Sequence, residues 1–276
     1  MAAHFLYTVV SPHIYLPHPI VNIVFLGAGN VACHLSPLFA ARGHRIGQVW
    51  SRNIEHATEL SAATGANPIC RIDDIDRDAD CYIIAIPDDH IARLSSQLPP
   101  VEGMVLHTSG SVPLSALGRL QSGVIWFPHS FVKGAKMDYS QLHCCYEGSS
   151  ADVEGKIEEL LDGVAQKTYR LASEERRWAH LASVMTNNFA HALNTLAEQT
   201  AASHGFDFGI LLPLIKSTAE NAATPNLALR QTGPAARHDV KTLDSHRRML
   251  FRNPEALRVY NVMTELIQSL QKPSGA

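Results

Sequence analysis

The chain has 276 residues, a hydrophobic fraction of 46% and a formal net charge of −3 at pH 7. This length allows two domains or one large domain, and the small negative charge gives no reason to expect nucleic acid or an anionic membrane as a partner. No apolar run approaches the roughly 18 residues that a membrane-spanning helix needs. Five cysteines without a Cys-x-x-Cys spacing are typical of a reducing compartment, so we expect a cytoplasmic protein.

The first 20 residues combine apolar residues with histidines and prolines, and they contain no Lys or Arg. A secretory signal peptide begins with positive charge, which this segment lacks. We therefore predict an irregular N-terminal extension over residues 1–20.

A buried-strand pattern followed by a glycine turn occupies residues 21–32, which read VNIVFLGAGNVA. Gly27 permits a sharp turn, and Gly29 lets the backbone approach a diphosphate closely. A helix that starts near Asn30 would point free N–H groups at that diphosphate. An ordinary strand-to-helix turn is the alternative. The pattern predicts a dinucleotide site with contacts from Gly27, Ala28, Gly29, Asn30 and Val31.

The end of the second predicted strand, at residues 48–50, indicates which dinucleotide binds. NAD-binding proteins usually carry Asp or Glu at this point, whereas this chain has Ser51, Arg52 and Asn53. A hydroxyl and a guanidinium would bind the 2′-phosphate that a carboxylate would repel. We therefore predict NADP(H) rather than NAD(H); the alternative is that Arg52 is a solvated surface charge.

Strand and helix patterns alternate up to about residue 150, with further strands predicted at 81–86, 103–107 and 124–127. This alternation predicts an α/β fold with a Rossmann-type, doubly wound parallel sheet over residues 21–172. Ligands bind at the carboxyl ends of such strands. We expect four more residues to border the cofactor, although loop geometry alone could explain them: Ile86, Pro87, Asp88 and Ser109.

The rest of the chain, residues 173–276, is predicted to be an all-α C-terminal domain for substrate binding and dimerisation. Apolar residues recur at helical spacing over residues 173–204 and 254–271, and shorter helices are expected at 212–222 and 239–251.

The candidate catalytic side chains all lie in this helical part: His180, Asn188, Arg237, Asp239 and His246. Asp239 and His246 are seven residues apart, so one helix would place them on the same side. A histidine beside a carboxylate can donate a proton, and Arg237 can bind a substrate carboxylate. The alternatives are that Asp239 only caps a helix and that the histidines are solvated. No compact His/Asp spacing indicates a metal site.

The sequence resembles a bacterial family that joins a Rossmann-like NADP-binding domain to a helical domain of unassigned function. Five segments carry the resemblance: residues 27–30, 51–53, 107–110, 180–188 and 231–239 with the downstream His246. The family is similar in architecture to pyrroline-5-carboxylate reductase and to deazaflavin-dependent NADP reductases.

The resemblance implies that the helical domain builds a homodimer and closes the active site. It also implies that His180, Asn188, Thr232, Arg237, Asp239 and His246 face a cleft between the domains. The chain departs from the family pattern at His129 and His238, which leaves the substrate open.

These observations favour an NADP(H)-dependent oxidoreductase that transfers hydride to or from a small carbonyl compound, imine or hydroxy acid in the interdomain cleft. Two other hypotheses stay open. One is an NADP(H)-binding regulator or scaffold without turnover, and the other is electron transfer between NADP(H) and a deazaflavin-type coenzyme.

Overall fold

The computed structural model describes residues 19–271, so the extension expected over residues 1–20 lies almost entirely outside the described residues. The chain divides into two compact units, residues 1–187 and 188–276. The boundary predicted from the sequence, between residues 172 and 173, lies one helix earlier and stays a prediction. No helix among the described residues has the length and apolar character needed to cross a membrane.

Eight strands form one sheet in the order β3-β2-β1-β4-β5-β6-β7-β8. The strands are β1 (Asn22–Leu26), β2 (Arg45–Trp50), β3 (Asn67–Ile69), β4 (Cys81–Ile84), β5 (Met104–His107), β6 (Ser122–Trp126), β7 (His143–Gly148) and β8 (Lys167–Arg170). All neighbours are parallel except β6 and β7, which pair antiparallel. The Rossmann-type fold class is confirmed, because the first six strands have the doubly wound order.

The sequence did not predict β7, and its pairing with β6 is the one antiparallel pairing among the eight described strands. This strand returns against β6 and pairs Tyr146 with Ile125. Its residues HCCYEG lack the Val/Ile run that made β1 and β4 recognisable. Cys144 and Tyr146 nevertheless pack into the main core below the sheet.

Helices cover both faces of the sheet. They are α1 (Asn30–Ala41), α2 (Ile54–Thr64), α3 (Ile91–Gln97) and α4 (Ala151–Leu161). The apolar residues of α1, α2 and α4 pack on one face, and those of α3 pack on the other. Because both faces are covered, β1 and β4 are buried along almost their whole length.

The helix predicted over residues 173–204 is present, with one irregularity. It consists of α5 (Ser173–Ser183), a π-helical turn (Val184–Phe189) and α6 (Ala190–Ser203). The second unit continues with α7 (Leu212–Ala222), α8 (Val240–Met249) and α9 (Pro254–Leu270). The prediction of an all-α C-terminal region is confirmed.

Candidate active site

The turn between β1 and α1 has the geometry that a bound anion needs. Gly27 has φ +131°, and a Cβ there would lie 2.2 Å from the Ala85 carbonyl oxygen. Gly29 precedes α1, and no side chain caps the N–H groups of the helix. A Cβ on Gly29 would meet no protein atom within 4 Å. The space in front of the helix N-terminus is therefore open, and the first turn of α1 carries no acidic residue to repel a phosphate.

A cavity of about 510 Å³ opens in front of this turn, at the carboxyl ends of β1, β2 and β4. Among its lining residues are seven of those predicted to bind the cofactor: Gly27, Ala28, Gly29, Ser51, Arg52, Ile86 and Pro87. Its size lies within the range of small-molecule and cofactor sites. The structure brings these residues together, while their contact with a cofactor stays a prediction.

The lining of this cavity is electropositive. Arg52 is joined there by His56, His90 and Arg93, none of which was predicted as a site residue. No Asp or Glu belongs to the described lining. The arrangement fits a 2′-phosphate, because cationic donors surround the end of β2 and no carboxylate opposes them. His56 lies in the first turn of α2, four residues after Arg52.

The side chains of two residues that were predicted to contact the cofactor make hydrogen bonds to other parts of the protein. Asn53 caps α2, since its Oδ1 accepts a hydrogen bond from the Glu55 N–H at 2.9 Å. Asn30 Oδ1 accepts from the main-chain N–H of Lys133 at 3.2 Å. These two residues therefore shape the site, and they do not line the 510 Å³ cavity.

A second, smaller cavity has a volume of about 190 Å³ and is lined in part by residues close in sequence to those of the first. Pro87 and Gly29 line the larger cavity, whereas Asp88 and Val31 line the smaller one, so the two cavities are consecutive along the sheet edge. The other lining residues are Thr108, Ser109, Gly110, Trp126, Phe127, His129, Phe131 and His180. The smaller cavity thus combines aromatic walls with hydroxyl groups and two imidazoles.

His180 is the predicted catalytic residue that reaches this cavity from within the first unit. Its ring packs edge-on against Trp126, with ring centroids 5.7 Å apart. A Cβ on Gly110 would lie 2.7 Å from His180 Cδ2. Any side chain at residue 110 would therefore displace the imidazole. His129, noted in the sequence only as a departure from the family pattern, also lines the cavity.

Ser109 and Asp88 are held by their own loop. Ser109 Oγ accepts hydrogen bonds from the N–H groups of Ser111 and Val112, both at 3.1 Å. Ser111 Oγ donates to Asp88 at 2.5 Å. These hydrogen bonds fit the alternative that Ser109 and Asp88 shape the loop. Both residues also line the small cavity, so they stay candidates for cofactor contact.

A partly buried ion pair fixes α5 behind the small cavity. Arg176 is fully buried and donates to Glu147 of β7 at 2.5 Å and to the Val112 carbonyl at 2.7 Å. Arg176 precedes His180 by one helical turn. The pair therefore ties the helix that carries His180 to the loop that carries Gly110.

His107 ends β5 beneath the same loop and is fully buried. Its Nδ1 accepts a hydrogen bond from the Ser109 N–H at 3.2 Å. Burial, followed by the positive charge of Arg176, lowers the pKa of His107 to about 4. The imidazole is therefore neutral near pH 7, which keeps Nδ1 available as an acceptor.

The predicted site residues of the second unit make local contacts. Asp239 caps α8 by accepting from the Thr242 N–H at 3.2 Å and the Thr242 hydroxyl at 2.7 Å. The Thr242 hydroxyl chiefly lowers the pKa of Asp239. His246 Nδ1 lies 2.9 Å from the Tyr260 hydroxyl. The N-cap alternative for Asp239 is thus observed, and the hydrogen-bond partner of His246 is Tyr260.

Asn188 and Arg237 are both exposed at the surface of the chain. Asn188 lies in the π-helical turn, and Arg237 lies two residues before Asp239, which caps α8. No group of three or more His, Cys, Asp or Glu side chains within residues 19–271 is arranged to hold a metal ion.

Two family models match the chain. Residues 22–106 match the family described as NADP oxidoreductase, coenzyme F420-dependent. Residues 142–267 match a domain of unknown function, DUF2520. No curated protein matches the sequence.

Solved structures share the fold over most of the chain. A provisionally assigned NADP oxidoreductase from Bacteroides fragilis is 29% identical, with a TM-score of 0.84 and coverage of 91% of this chain and 98% of that chain. A pyrroline-5-carboxylate reductase from Coxiella burnetii is 17% identical, with a TM-score of 0.55 and coverage of 92% and 100%.

A reductive aminase from Aspergillus terreus, in complex with NADPH and ethyl-5-oxohexanoate, is 14% identical, with a TM-score of 0.67 and coverage of 91% and 93%. At these identities, the last two likenesses establish the fold alone.

Proposed function

The chain joins a domain of the NADP oxidoreductase family to a DUF2520 domain, and we propose that this NADP-dependent enzyme acts on a small carbonyl compound, imine or hydroxy acid. The observation that carries the proposal is the pair of consecutive cavities at one sheet edge. The larger one is electropositive and opens onto a helix N-terminus. The smaller one presents two imidazoles.

In this proposal the larger cavity binds the adenosine and diphosphate parts of NADP(H). The uncapped N–H groups of α1 hold the diphosphate, and Arg52, His56 and Arg93 hold the 2′-phosphate. The nicotinamide, when bound, supplies or accepts the hydride.

The chain's own residues then handle the proton. Reduction of a carbonyl or imine requires one proton in addition to the hydride. His180 is placed to donate it, because its ring borders the small cavity and is held against Trp126 and Gly110. In the oxidising direction the neutral imidazole takes up the proton again.

We further propose that Asn188 and Arg237 bind the substrate and that His246 is the alternative proton donor. Arg237 is charged and exposed, as a carboxylate-binding residue of the free enzyme should be. Because His246 is hydrogen-bonded to Tyr260, Asp239 would act by holding the start of α8, which it caps. Arg237→Ala and His246→Ala should lower turnover without weakening NADPH binding. If both variants keep full turnover, these assignments fail.

Electron transfer to a deazaflavin is a second candidate, and it is favoured by the description of the family that matches residues 22–106. Activity that requires added coenzyme F420 would support it. Tight NADPH binding without turnover on carbonyl compounds, imines and the deazaflavin would instead support a regulatory role.

Cofactor binding tests the core of the proposal. By calorimetry, Arg52→Ala should weaken NADPH binding by about tenfold to hundredfold and leave NADH binding within about twofold, since a charged hydrogen bond contributes about 1.5–3 kcal/mol. Arg42→Ala is the matched control, because Arg42 is exposed and lies outside the cavity lining. Correctly folded wild-type protein that binds neither coenzyme would refute the proposal.

His180 has its own test. His180→Gln should reduce kcat by about 10²-fold or more, as removal of a general acid does, with unchanged affinity for NADPH. Unchanged kcat would transfer the proton-donor role to His246 or His129.

We also propose that the enzyme is a homodimer. Large apolar side chains of the second unit are exposed in the single chain, among them Ile210, Leu214, Leu229 and Phe251. Exposed large apolar side chains in such number on a helical unit favour an interface with a second copy.

A further inference from the structure

The segment after β6 passes the small cavity and then contacts the start of α1. His129 and Phe131 line the small cavity. Two residues further on, the Lys133 N–H donates to Asn30 Oδ1 at 3.2 Å, and Asn30 is the first residue of α1. The main chain of Lys133 is therefore held beside the helix N-terminus where the cofactor's diphosphate is proposed to bind.

A buried histidine anchors this segment. His34 of α1 is only 5% exposed, and its Nε2 lies 2.8 Å from the Val132 carbonyl oxygen. Since a carbonyl only accepts, Nε2 carries the hydrogen, and in the neutral imidazole Nδ1 accepts from the Tyr139 hydroxyl at 2.8 Å. The His34 hydrogen bonds fix the position of the Lys133 backbone, while the Lys133 side chain is free to reorient.

The present partner of Lys133 is Glu59 of α2. The Nζ–Oε2 distance is 2.6 Å, and the two side chains are 43% and 61% exposed. The hydrogen bond to Glu59 raises the pKa of Lys133, so the ammonium is charged near pH 7. An exposed pair of this kind contributes little to stability, so exchange of the partner is easy.

We infer that Lys133 is a cofactor-binding residue whose ammonium leaves Glu59 for the diphosphate at the start of α1. The flexible four-carbon stem lets the ammonium move while the backbone stays bonded to Asn30. A diphosphate carries two negative charges and Glu59 carries one, so the exchange is electrostatically favourable. This inference rests on the proposed cofactor site, and neither the sequence motifs nor the cavity linings had singled out Lys133.

The first test is Lys133→Gln, with calorimetric titration of NADPH and NADH. Both coenzymes carry the diphosphate, so both affinities should fall by about the same factor, roughly fivefold to twentyfold. The ratio of the two affinities should not change, in contrast to Arg52→Ala. Lys136→Gln is the matched control, because Lys136 is an exposed lysine of the same loop and should leave both affinities unchanged.

The second test removes the competing carboxylate. Glu59→Gln should raise the affinity for both coenzymes by about twofold to fivefold, since the ammonium no longer has to leave an ionised partner. In a Lys133→Gln background the same substitution should have no effect, which a double-mutant cycle measures.

Three outcomes would overturn the inference. Unchanged affinities in Lys133→Gln would leave the lysine as a surface ion pair only. A loss confined to NADPH would move its contact to the 2′-phosphate. A Glu59→Gln variant that binds more weakly would show that the ion pair itself shapes the site. Thermal unfolding of each variant checks the fold, and failure of the wild type to bind either coenzyme would refute the proposed function instead.

Discussion

The two units of the chain bury their apolar residues very differently. In the first unit, the strands at the centre of the sheet are almost completely inaccessible, and the core includes Phe25, Leu26, Ile83 and Leu106. In the described part of the second unit, the buried side chains are small or few: Ala201, Ala235, Leu243, Ala256 and Thr264. The first unit therefore supplies its own core, whereas the second displays apolar surface that a partner can cover.

The largest expected change in stability in the first unit is at its glycine turn, where two similar substitutions should differ in their effect on folding. Gly27→Ala should lower the free energy of unfolding by about 3 kcal/mol, because it forces a side chain into φ +131° and into the Ala85 carbonyl. Gly29→Ala should stay within about 0.5 kcal/mol of wild type, since its Cβ meets no protein atom. Denaturant unfolding measures both.

Gly29→Ala should have its effect on cofactor binding rather than on stability. Gly29→Ala places a methyl group in the space proposed for the diphosphate, so NADPH affinity should fall at least about tenfold in a fully stable protein. A Gly29→Ala variant with wild-type affinity would show that the open space in front of α1 is not the diphosphate site.

A smaller, pH-dependent effect comes from His107. The pKa is about 4 in the folded protein and about 6.5 when unfolded. Between these values the unfolded chain binds more protons, so the stability that neutral His107 contributes is complete above about pH 6.5. It is lost progressively as the pH falls towards 4, by roughly 2–3 kcal/mol in total.

Comparison with His107→Asn isolates this contribution from the other histidines. The amide oxygen of Asn can still accept from the Ser109 N–H, and it does not titrate. The variant should lose less stability than wild type between pH 7 and pH 4.5, as denaturant unfolding at each pH measures. Parallel curves for the two proteins would contradict the buried, neutral state of His107.

The local geometry of the nucleotide site was predictable because it depends on short-range rules. Gly27, Gly29 and the strand before them follow from turn sterics and from an apolar run, and Arg52 from its position after β2. The basic partners His90 and Arg93 were not predictable in the same way. They lie at the start of α3, and only the assembled sheet brings this helix to the cavity that Arg52 borders.

The buried Arg176 shows the same limit. Arg176 and Arg177 are neighbours in an exposed-looking sequence, yet Arg176 is fully buried and Arg177 is exposed. Its burial depends on Glu147, which lies on β7, the strand that the sequence reading missed. Because β7 was not predicted, the ion pair that holds the helix of His180 in place was not predicted either.

The smallest effect on the single chain is expected at the surface of the second unit, and it tests the dimer. Leu214 is 63% exposed, so Leu214→Asp should change the stability of a lone chain by no more than about 0.5 kcal/mol. If a second copy covers this surface, the same change should cost about 2 kcal/mol or more of association free energy. Analytical ultracentrifugation should then find wild type at twice the 30.2 kDa chain mass and the variant shifted to monomer.

Leu120→Asp is the matched control for this prediction. Leu120 is 94% exposed and belongs to the first unit, so it offers the same chemistry at a site outside the helical surface. Because the substitutions are identical, a general effect of added charge would act on both variants. Dissociation of only the Leu214 variant would locate the interface on the helical unit, whereas a wild-type chain that stays monomeric at every concentration would leave its apolar surface for a different partner.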